Sequence, residues 1–513
     1  MLLQNVLVIG GGLAGLSSAV ALAEAGLRVR LLEKRPHLGG RATSYTLPDG
    51  SEVDNCQHLT MGCCTNLADF FRRIGADKQI RTFDTLYLKD PQGRCSVIRG
   101  GPLPPPLHLA ASLVFFRGLS LADKRGIGRA LLAIARAGGE PPGLCGISMM
   151  EWLRRMNQSQ AATERFWRAV LVSALDEDLS RMEARYAIEV FWKGFLASRG
   201  GYRISMPSVP LAQLYDGCLN SVERRGGEVR LRCGVREIRV RENCFACVVL
   251  EDGTEILADA CILAVPQDVL SDLVPAAVTE LSEVLEGARH IRTSPITSVH
   301  LWFDRPVMKE PYLALLERTS QWIFNKTYLY ARSETNQDAQ RPIQQRDDSP
   351  GRGGQYLQIV VSASYELVPR SRQEILDICT RELAEAVPAT REAKLLKGTV
   401  IKEVNATFSP NPGVDRWRPA QRTPVKNLFL AGDWTRTGWP STMESAVRSG
   451  YLAAEEVLAD CGRPQKFLQP DLPVEGLSKV WSSRRAKKLR DSVSEGEDAP
   501  ASGEIPGRVY SSK

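Results

Sequence analysis

No apolar run in the 513 residues reaches the roughly 18 positions, free of charge and glycine, that a membrane-spanning helix requires. An integral membrane protein is therefore not expected. Secretory export lacks its signature as well. The apolar opening VLVIGGGLAGLSSAVALAEAG (residues 6–26) is preceded only by Met1 to Asn5, none of which carries a positive side chain. Without an oxidising compartment the twelve cysteines, scattered over a long chain, read as reduced thiols rather than a disulfide framework. Zinc spacing is missing too. Cys244 and Cys247 form a lone C-x-x-C in a strand-like stretch with no second pair or His partner, and the adjacent Cys63 and Cys64 are poorly placed to share a metal. No metal site is expected. A net charge of +7 is modest for this length and no basic-aromatic module accompanies it, so no nucleic-acid partner is expected. No internal repeat is visible. What remains is a cytoplasmic globular protein, soluble or peripheral to a membrane, long enough for two domains and a large cofactor.

Residues 5–9 read as a strand, 13–25 as a helix and LRVRLLEKR as a second strand that ends at Glu33, together a βαβ unit. Gly10, Gly12 and Gly15 fall in its first turn as G-x-G-x-x-G. Such glycines serve a tight turn, close approach of a pyrophosphate to backbone N–H groups, and close packing of helix on strand. Glu33, about 20 positions on, is placed to accept hydrogen bonds from a ribose. The chain continues as KRPHLGGRATSY (34–45), in which Gly39, Gly40 and Arg41 add backbone donors and a cation near phosphate.

Further on, GGEVRLRCGVREIRV (226–240) and FACVVLEDGTEILADACILAVP (245–266) alternate and turn like hairpins, with Asp252-Gly253 as a turn signal. NLFLAGDW (427–434) reads as a short buried strand and MESAVRSGYLAAEEVLA (443–459) as a helix. Between them lie a helix-rich stretch, 105–200, and a mixed stretch, 285–415. The expected organisation is a nucleotide-binding domain in three parts (1–104, 201–284 and 416–462) with a second domain inserted twice. The polar segment 331–356 is expected to be a mobile loop, and 470–513, poor in apolar residues, a disordered tail.

The composite of glycine fingerprint, acid and GGR resembles the FAD-binding start of the amine oxidase and phytoene desaturase superfamily. NLFLAGDWTRTGWPSTMESAVRSGYLAA (427–454) looks like the segment that returns there to close the flavin site. The resemblance implies a mixed α/β and α+β fold: a Rossmann-like, glutathione-reductase-like FAD-binding domain with an inserted mixed substrate-binding domain. It implies FAD held by Gly10, Gly12, Leu13, Ala14, Gly15, Glu33, Lys34, Gly39, Gly40 and Arg41. Val235 would meet the adenine, or else be a plain core valine. Gly432 and Asp433 would reach the pyrophosphate and ribityl region, with Trp439, Thr442 and Met443 passing the isoalloxazine. N–H groups at that last helix start would favour negative charge on reduced flavin.

Five segments narrow the resemblance: VDNCQHLTMGCCTN (53–66), YRISMPSVPLAQLY (202–215), SPITSVHLWFDRPVM (294–308), SQWIFNK (320–326) and TGWPSTMESAVRSG (437–450). Together they are similar to the hydroxysqualene dehydroxylases, FAD-dependent enzymes of bacterial squalene and hopanoid biosynthesis. One departure is Cys56, where that family has glycine; a left-handed backbone there would strain the cysteine. The resemblance implies reductive removal of the allylic hydroxyl of hydroxysqualene, a polyisoprenoid, to give squalene. His58 is then the candidate acid with Asp54 as orienting carboxylate, a satisfied core pair being the alternative. Trp302, Phe303, Trp322 and Phe324 would line an isoprenoid tunnel, or serve as ordinary core. The stretch 106–137 would lie in a membrane interface or be buried helix, and the basic cluster 479–491 would touch anionic lipid or be a solvated tail. That places the protein on the inner face of the cytoplasmic membrane, beside other squalene-synthesis enzymes. A carotenoid-type desaturase, an amine oxidase and a non-catalytic flavin scaffold are the competing functions.

Overall fold

The computed structural model describes residues 3–331 and 353–483. At its centre a five-stranded parallel sheet runs in the order Glu228–Arg230, Arg28–Leu32, Asn5–Ile9, Ala260–Leu263 and Leu428–Leu430. The central strands are covered on both faces, which is why their sequences are nearly unbroken runs of Val, Ile and Leu. Val6 and Val8 pack towards the helices Leu13–Glu24 and Met443–Asp460, while Leu7 and Ile9 face the other core. Of the twelve residues in Leu13–Glu24 only Glu24 is not buried. This helix meets Met443–Asp460 so closely that a Cβ on Gly450 would overlap Ser17 and the Ala14 carbonyl. Two segments more than 400 positions apart thereby form one layer of a Rossmann-like domain.

The predicted hairpins form a three-stranded antiparallel sheet, Val235–Arg241, Cys244–Leu250 and Glu255–Leu257, whose last turn carries Gly253. A seven-stranded mixed sheet stands beside the parallel one, ordered Leu395–Phe408, Thr293–Phe303, Gln355–Val361, Trp322–Asn325, Tyr312–Leu315, Thr85–Lys89 and Cys95–Arg99. One of its faces packs on the helix Arg372–Ala386 through Val299, Leu301, Phe303 and Ile359. Its other face closes a cavity against the helices of 107–196 and the parallel sheet. Among the described residues no helix is long and apolar enough to cross a membrane, and all twelve cysteines are unpaired.

Two sequence boundaries differ. Most of the predicted loop 331–356 lies outside the described residues, but its end is sheet: Gln355 and Tyr356 open the strand Gln355–Val361. Gln355 is buried because its amide oxygen accepts from the N–H groups of Val307 (2.7 Å) and Met308 (2.8 Å), and Tyr356 stacks on Trp302. The tail reading also begins too early. Glu475 and Leu477 donate backbone N–H bonds to Ala197 and Pro105, and the buried Ser478 hydroxyl donates to Leu196 O at 2.8 Å. Local apolar content does not register such bonds. Residues 484–513, with the remainder of the basic cluster 479–491, lie outside the described residues.

Candidate active site

One cavity of about 800 Å³ runs from the first turn of the parallel sheet to the mixed sheet. Its first half is built from backbone. Gly10 has φ +106°, a conformation costly to residues with a side chain, and its missing Cβ would stand 2.5 Å from Ala264 O. Gly15 does not line the cavity. A Cβ there would overlap the Gly10 carbonyl, so this glycine is what lets the helix start press against the strand. Gly12, Leu13, Ala14, Gly39, Gly40 and Lys34 line the cavity, and the helix start has no side-chain cap, leaving its first N–H groups to an incoming acceptor. Glu33 is fixed at the end of its strand: Gly11 N–H donates to Oε2 at 2.6 Å and Arg35 N–H to Oε1 at 2.8 Å. Val235 lies along the same wall.

The returning segment closes this half. Arg41 donates to Asp433 Oδ1 at 2.5 Å and to Ala406 O at 2.8 Å, so its charge is spent on tying the N-terminal extension to the C-terminal segment. Gly432, Asp433, Trp439, Thr442 and Met443 all line the cavity. Thr442 caps its helix by accepting from Ser445 N–H at 3.1 Å. The buried Trp439 Nε1 has no partner among the described residues. An uncapped helix start, an open face at Gly12 and an orphaned indole N–H are what a large, polar, anionic cofactor would satisfy, so the residues present fit FAD.

The second half is built from side chains. Trp322 and Phe324 line it, stacked on one another with ring centroids 5.8 Å apart, together with Ile296 and Val360. Trp302 and Phe303 do not. Trp302 shares the face of Ile296 but lies about 20 Å further along the strand, where it stacks on Tyr356 under the Lys397 ammonium. Phe303 alternates to the opposite face and joins the core against Arg372–Ala386. Strand periodicity separates residues that adjacency in sequence had grouped.

His58 lines the cavity, but it is not paired with Asp54. Its Nδ1 donates to Cys56 O at 2.9 Å, and burial holds the ring below its ordinary pKa against the opposing pull of that bond. Burial thus favours the neutral ring with its Nδ1 proton committed to Cys56 O, an arrangement that suits an acceptor at Nε2 better than the acid expected from sequence. Asp54 is turned away beneath the turn. Its carboxylate accepts from Ser44 (2.8 Å), Leu211 N–H (3.0 Å), Lys326 Nζ (2.6 Å) and the Tyr330 hydroxyl (2.7 Å). Burial pushes Asp54 upward, yet the Lys326 charge and these bonds outweigh it and hold the carboxyl below the usual range. Lys326 also donates to Gln57 at 2.7 Å, and the pair is buried. Cys56 is not in the left-handed region, so the expected strain is absent; its thiol lines the cavity and burial pushes its pKa up.

Two groups escaped the sequence reading. Lys326 sits in WIFNKTYLY, and the aromatic residues around it were the available sign of a buried cation. Asp176, 4 % exposed, lines the side-chain half of the cavity at the end of the helix Ala169–Leu175. Its sign was an Asp closing the apolar run VLVSAL, where a helix usually ends on glycine.

A glycine turn meeting a returning helix over such a cavity defines a dinucleotide-dependent oxidoreductase. The family model for flavin-containing amine oxidoreductases matches residues 13–458, so the chain belongs to that family and is an FAD-dependent oxidoreductase. It is 28% identical over 485 residues to the 15-cis-phytoene desaturase of Solanum lycopersicum, covering 90% of this chain and 80% of the relative. The 15-cis-phytoene desaturase of Synechococcus elongatus is 25% identical, with 89% and 96% covered, and the zeta-carotene desaturase of Solanum lycopersicum is 26% identical over 482 residues, with 88% and 80% covered. The fold is also that of an oxidoreductase from Methanosarcina mazei (TM-score 0.67, 18% identity, 89% of this chain and 100% of that one). Cyclohexylamine oxidase from Brevibacterium oxydans superposes with a TM-score of 0.63 at 16% identity, covering 90% and 100%.

Proposed function

We propose that the chain acts on an allylic carbon of a long isoprenoid hydrocarbon. The observation that carries this reading is the continuity of the cavity: the backbone-built cradle opens directly into a chamber walled by Ile296, Trp322, Phe324 and Val360. In the cradle, the N–H groups at Gly12 to Ala14 would hold the pyrophosphate, Glu33 the ribose, and the Trp439–Met443 segment the flavin ring. Bound FAD supplies a centre that exchanges hydride with carbon. The chamber walls exclude water and position the allylic carbon, and the Trp322 and Phe324 ring faces stabilise positive charge there.

Two directions of exchange use the same cavity. Similarity to phytoene and zeta-carotene desaturases along nearly the whole chain supports removal of hydride from a polyene, and this reading has the wider sequence support. The five segments resembling hydroxysqualene dehydroxylases support the reverse, reduction of hydroxysqualene to squalene. Asp176, which forms no ion pair among the described residues, favours that second direction, as developed below.

Substrate arrives from lipid. Val114, Phe115 and Leu121 are exposed, Phe115 by 78%, beside exposed Leu107. Leu121, Arg125 and Arg129 recur at i, i+4 on the solvent face of the helix Leu121–Arg136, whose opposite face buries Ile127, Ala130 and Ile134. The apolar tip inserts among acyl chains and the arginines meet anionic headgroups.

Anaerobic product analysis tests the reading. Reduced holoenzyme is given hydroxysqualene and oxidised holoenzyme is given phytoene, and products are separated by gas chromatography. Squalene in the first arm marks a dehydroxylase and a longer conjugated polyene in the second a desaturase. Neither product, with no substrate-dependent change in flavin oxidation state, would leave a scaffold and overturn the proposal.

A further inference from the structure

Asp176 occupies an expensive position. It ends the helix Ala169–Leu175 with φ +51°, a left-handed conformation that usually falls to glycine or asparagine. It lines the same cavity as Ser173, Trp322 and Ile296. Oδ1 accepts from Ala363 N–H at 2.6 Å and Oδ2 from the Thr407 hydroxyl at 2.8 Å, bonds that fix its plane. Among the described residues no Lys, Arg or His forms an ion pair with it. Thr407 lines the cavity too, and its neighbour Phe408 donates N–H to Ser441 Oγ at 3.2 Å, so Asp176 is held one residue away from the segment that closes the cofactor half.

We propose that Asp176 is the general acid of this site, donating its carboxyl proton to the hydroxyl oxygen of an allylic alcohol held in the chamber. This rests on the reductive direction above. The Asp176 O–H bond breaks and a new O–H bond forms on the substrate oxygen. The C–O bonding pair leaves with that oxygen as water, an allylic cation remains, and Asp176 becomes a carboxylate. The cation is closed to C–H by one hydride from a two-electron-reduced flavin, and a solvent proton restores Asp176. Hydroxide is a poor leaving group, so the alcohol needs this proton, whereas a desaturase needs a group that takes one.

The surroundings keep the proton in place. Burial above all pushes the Asp176 carboxyl well above the usual carboxylate range; the bonds from Ala363 and Thr407 pull it back in part, and Glu177 pushes it further up. The cations near it are paired with other carboxylates. Glu177 is engaged by Tyr365 (2.8 Å), Ser409 and Arg181 (3.4 Å). Cys56 faces it as a thiol. On the strand of Thr407, Glu403 accepts from Asn55 at 3.0 Å, and across the cavity Glu189 is paired with Lys193 at 2.6 Å. His58, neutral with its one proton committed to Cys56 O, cannot serve instead.

The test compares wild type with Asp176→Asn, which keeps the shape and can still accept from Ala363. In single turnovers of photoreduced holoenzyme, the variant is expected to convert hydroxysqualene about 100-fold more slowly or worse. It should convert the corresponding allylic chloride, whose leaving group needs no proton, at close to the wild-type rate. Wild-type turnover should fall as pH rises through the raised Asp176 pKa, with the residual rate of the variant flat. Infrared spectra should show a protonated-carboxyl C=O band in wild type that shifts in deuterium oxide and is missing in the variant. Equal conversion of the alcohol by both proteins, or no such band, overturns the proposal. If wild type leaves hydroxysqualene untouched, the substrate reading fails, and the band alone decides whether Asp176 carries a proton. If Asp176→Asn fails to bind FAD, Asp176→Glu is used, and the band must move with it.

Discussion

The two halves of the cavity are made of different material. In the cradle the working groups are backbone N–H donors, and side chains matter mostly by being absent, as at Gly10 and Gly15. In the chamber the working groups are side chains from distant segments, positioned by ion pairs and hydrogen bonds beneath the wall. Backbone cannot relocate without the sheet, so the cradle is rigid and intolerant of added atoms. Side chains can be exchanged one at a time, so the chamber can change substrate while the cradle keeps its cofactor.

Gly15→Val tests that contrast hardest. Its side chain would strike the Gly10 carbonyl, a backbone atom that cannot yield, and overpacking there reaches or exceeds about 3 kcal/mol. The expected outcome is protein purified without yellow colour and with a collapsed thermal transition; a flavin-loaded variant would show the cradle to be more plastic than described. Lys326→Met comes next. It strands Asp54 as a buried, unpaired carboxylate and should cost about 3–5 kcal/mol in urea unfolding, part of which Lys326→Met with Asp54→Leu recovers. Because the folded Asp54 carboxyl lies below its unfolded value of about 4, its contribution is complete above that pH and is lost as pH falls through the lower folded value. Wild type should therefore lose stability in acid more steeply than the double variant.

These two predictions also mark what sequence could and could not reveal. The cradle was legible because each task of a backbone donor leaves a local mark: strand, glycine turn, helix, acid. The distant closing segment was marked by its resemblance to the returning segment of related flavoproteins, and Gly432, Asp433 and Trp439 do line the same cavity. The chamber was legible only in part. Trp322 and Phe324 alternate onto the cavity, but Trp302 and Phe303 were grouped with them by composition, and no local rule says how far along a strand a cavity extends. His58 and Asp54, four residues apart, were linked by proximity in sequence, whereas Asp54 pairs with Lys326 across 272 positions. Asp176 went unnoticed because its burial depends on strands more than 180 residues later.

Smaller effects sharpen the contrast. Phe324→Ala should raise KM for the isoprenoid roughly tenfold, about 1.4 kcal/mol, while leaving the flavin spectrum unchanged. A shifted flavin spectrum would mean the two halves are not separable. The exposed tip should respond less: Phe115→Ser with Leu121→Ser is expected to lower binding to anionic lipid vesicles several-fold in a sedimentation assay without altering turnover in detergent. Smallest of all, Cys56→Gly should change stability by no more than about 1 kcal/mol, since the backbone there has no need of glycine.

The most direct check on one continuous cavity is a spectral titration. FAD-loaded protein is titrated with squalene in detergent below its micellar limit, with flavin absorbance and tryptophan fluorescence recorded together. Both signals should move along one saturation curve, because the hydrocarbon filling the chamber beside Trp322 also reaches the flavin. Tryptophan quenching that saturates while the flavin spectrum stays still would place the hydrocarbon elsewhere and contradict the account.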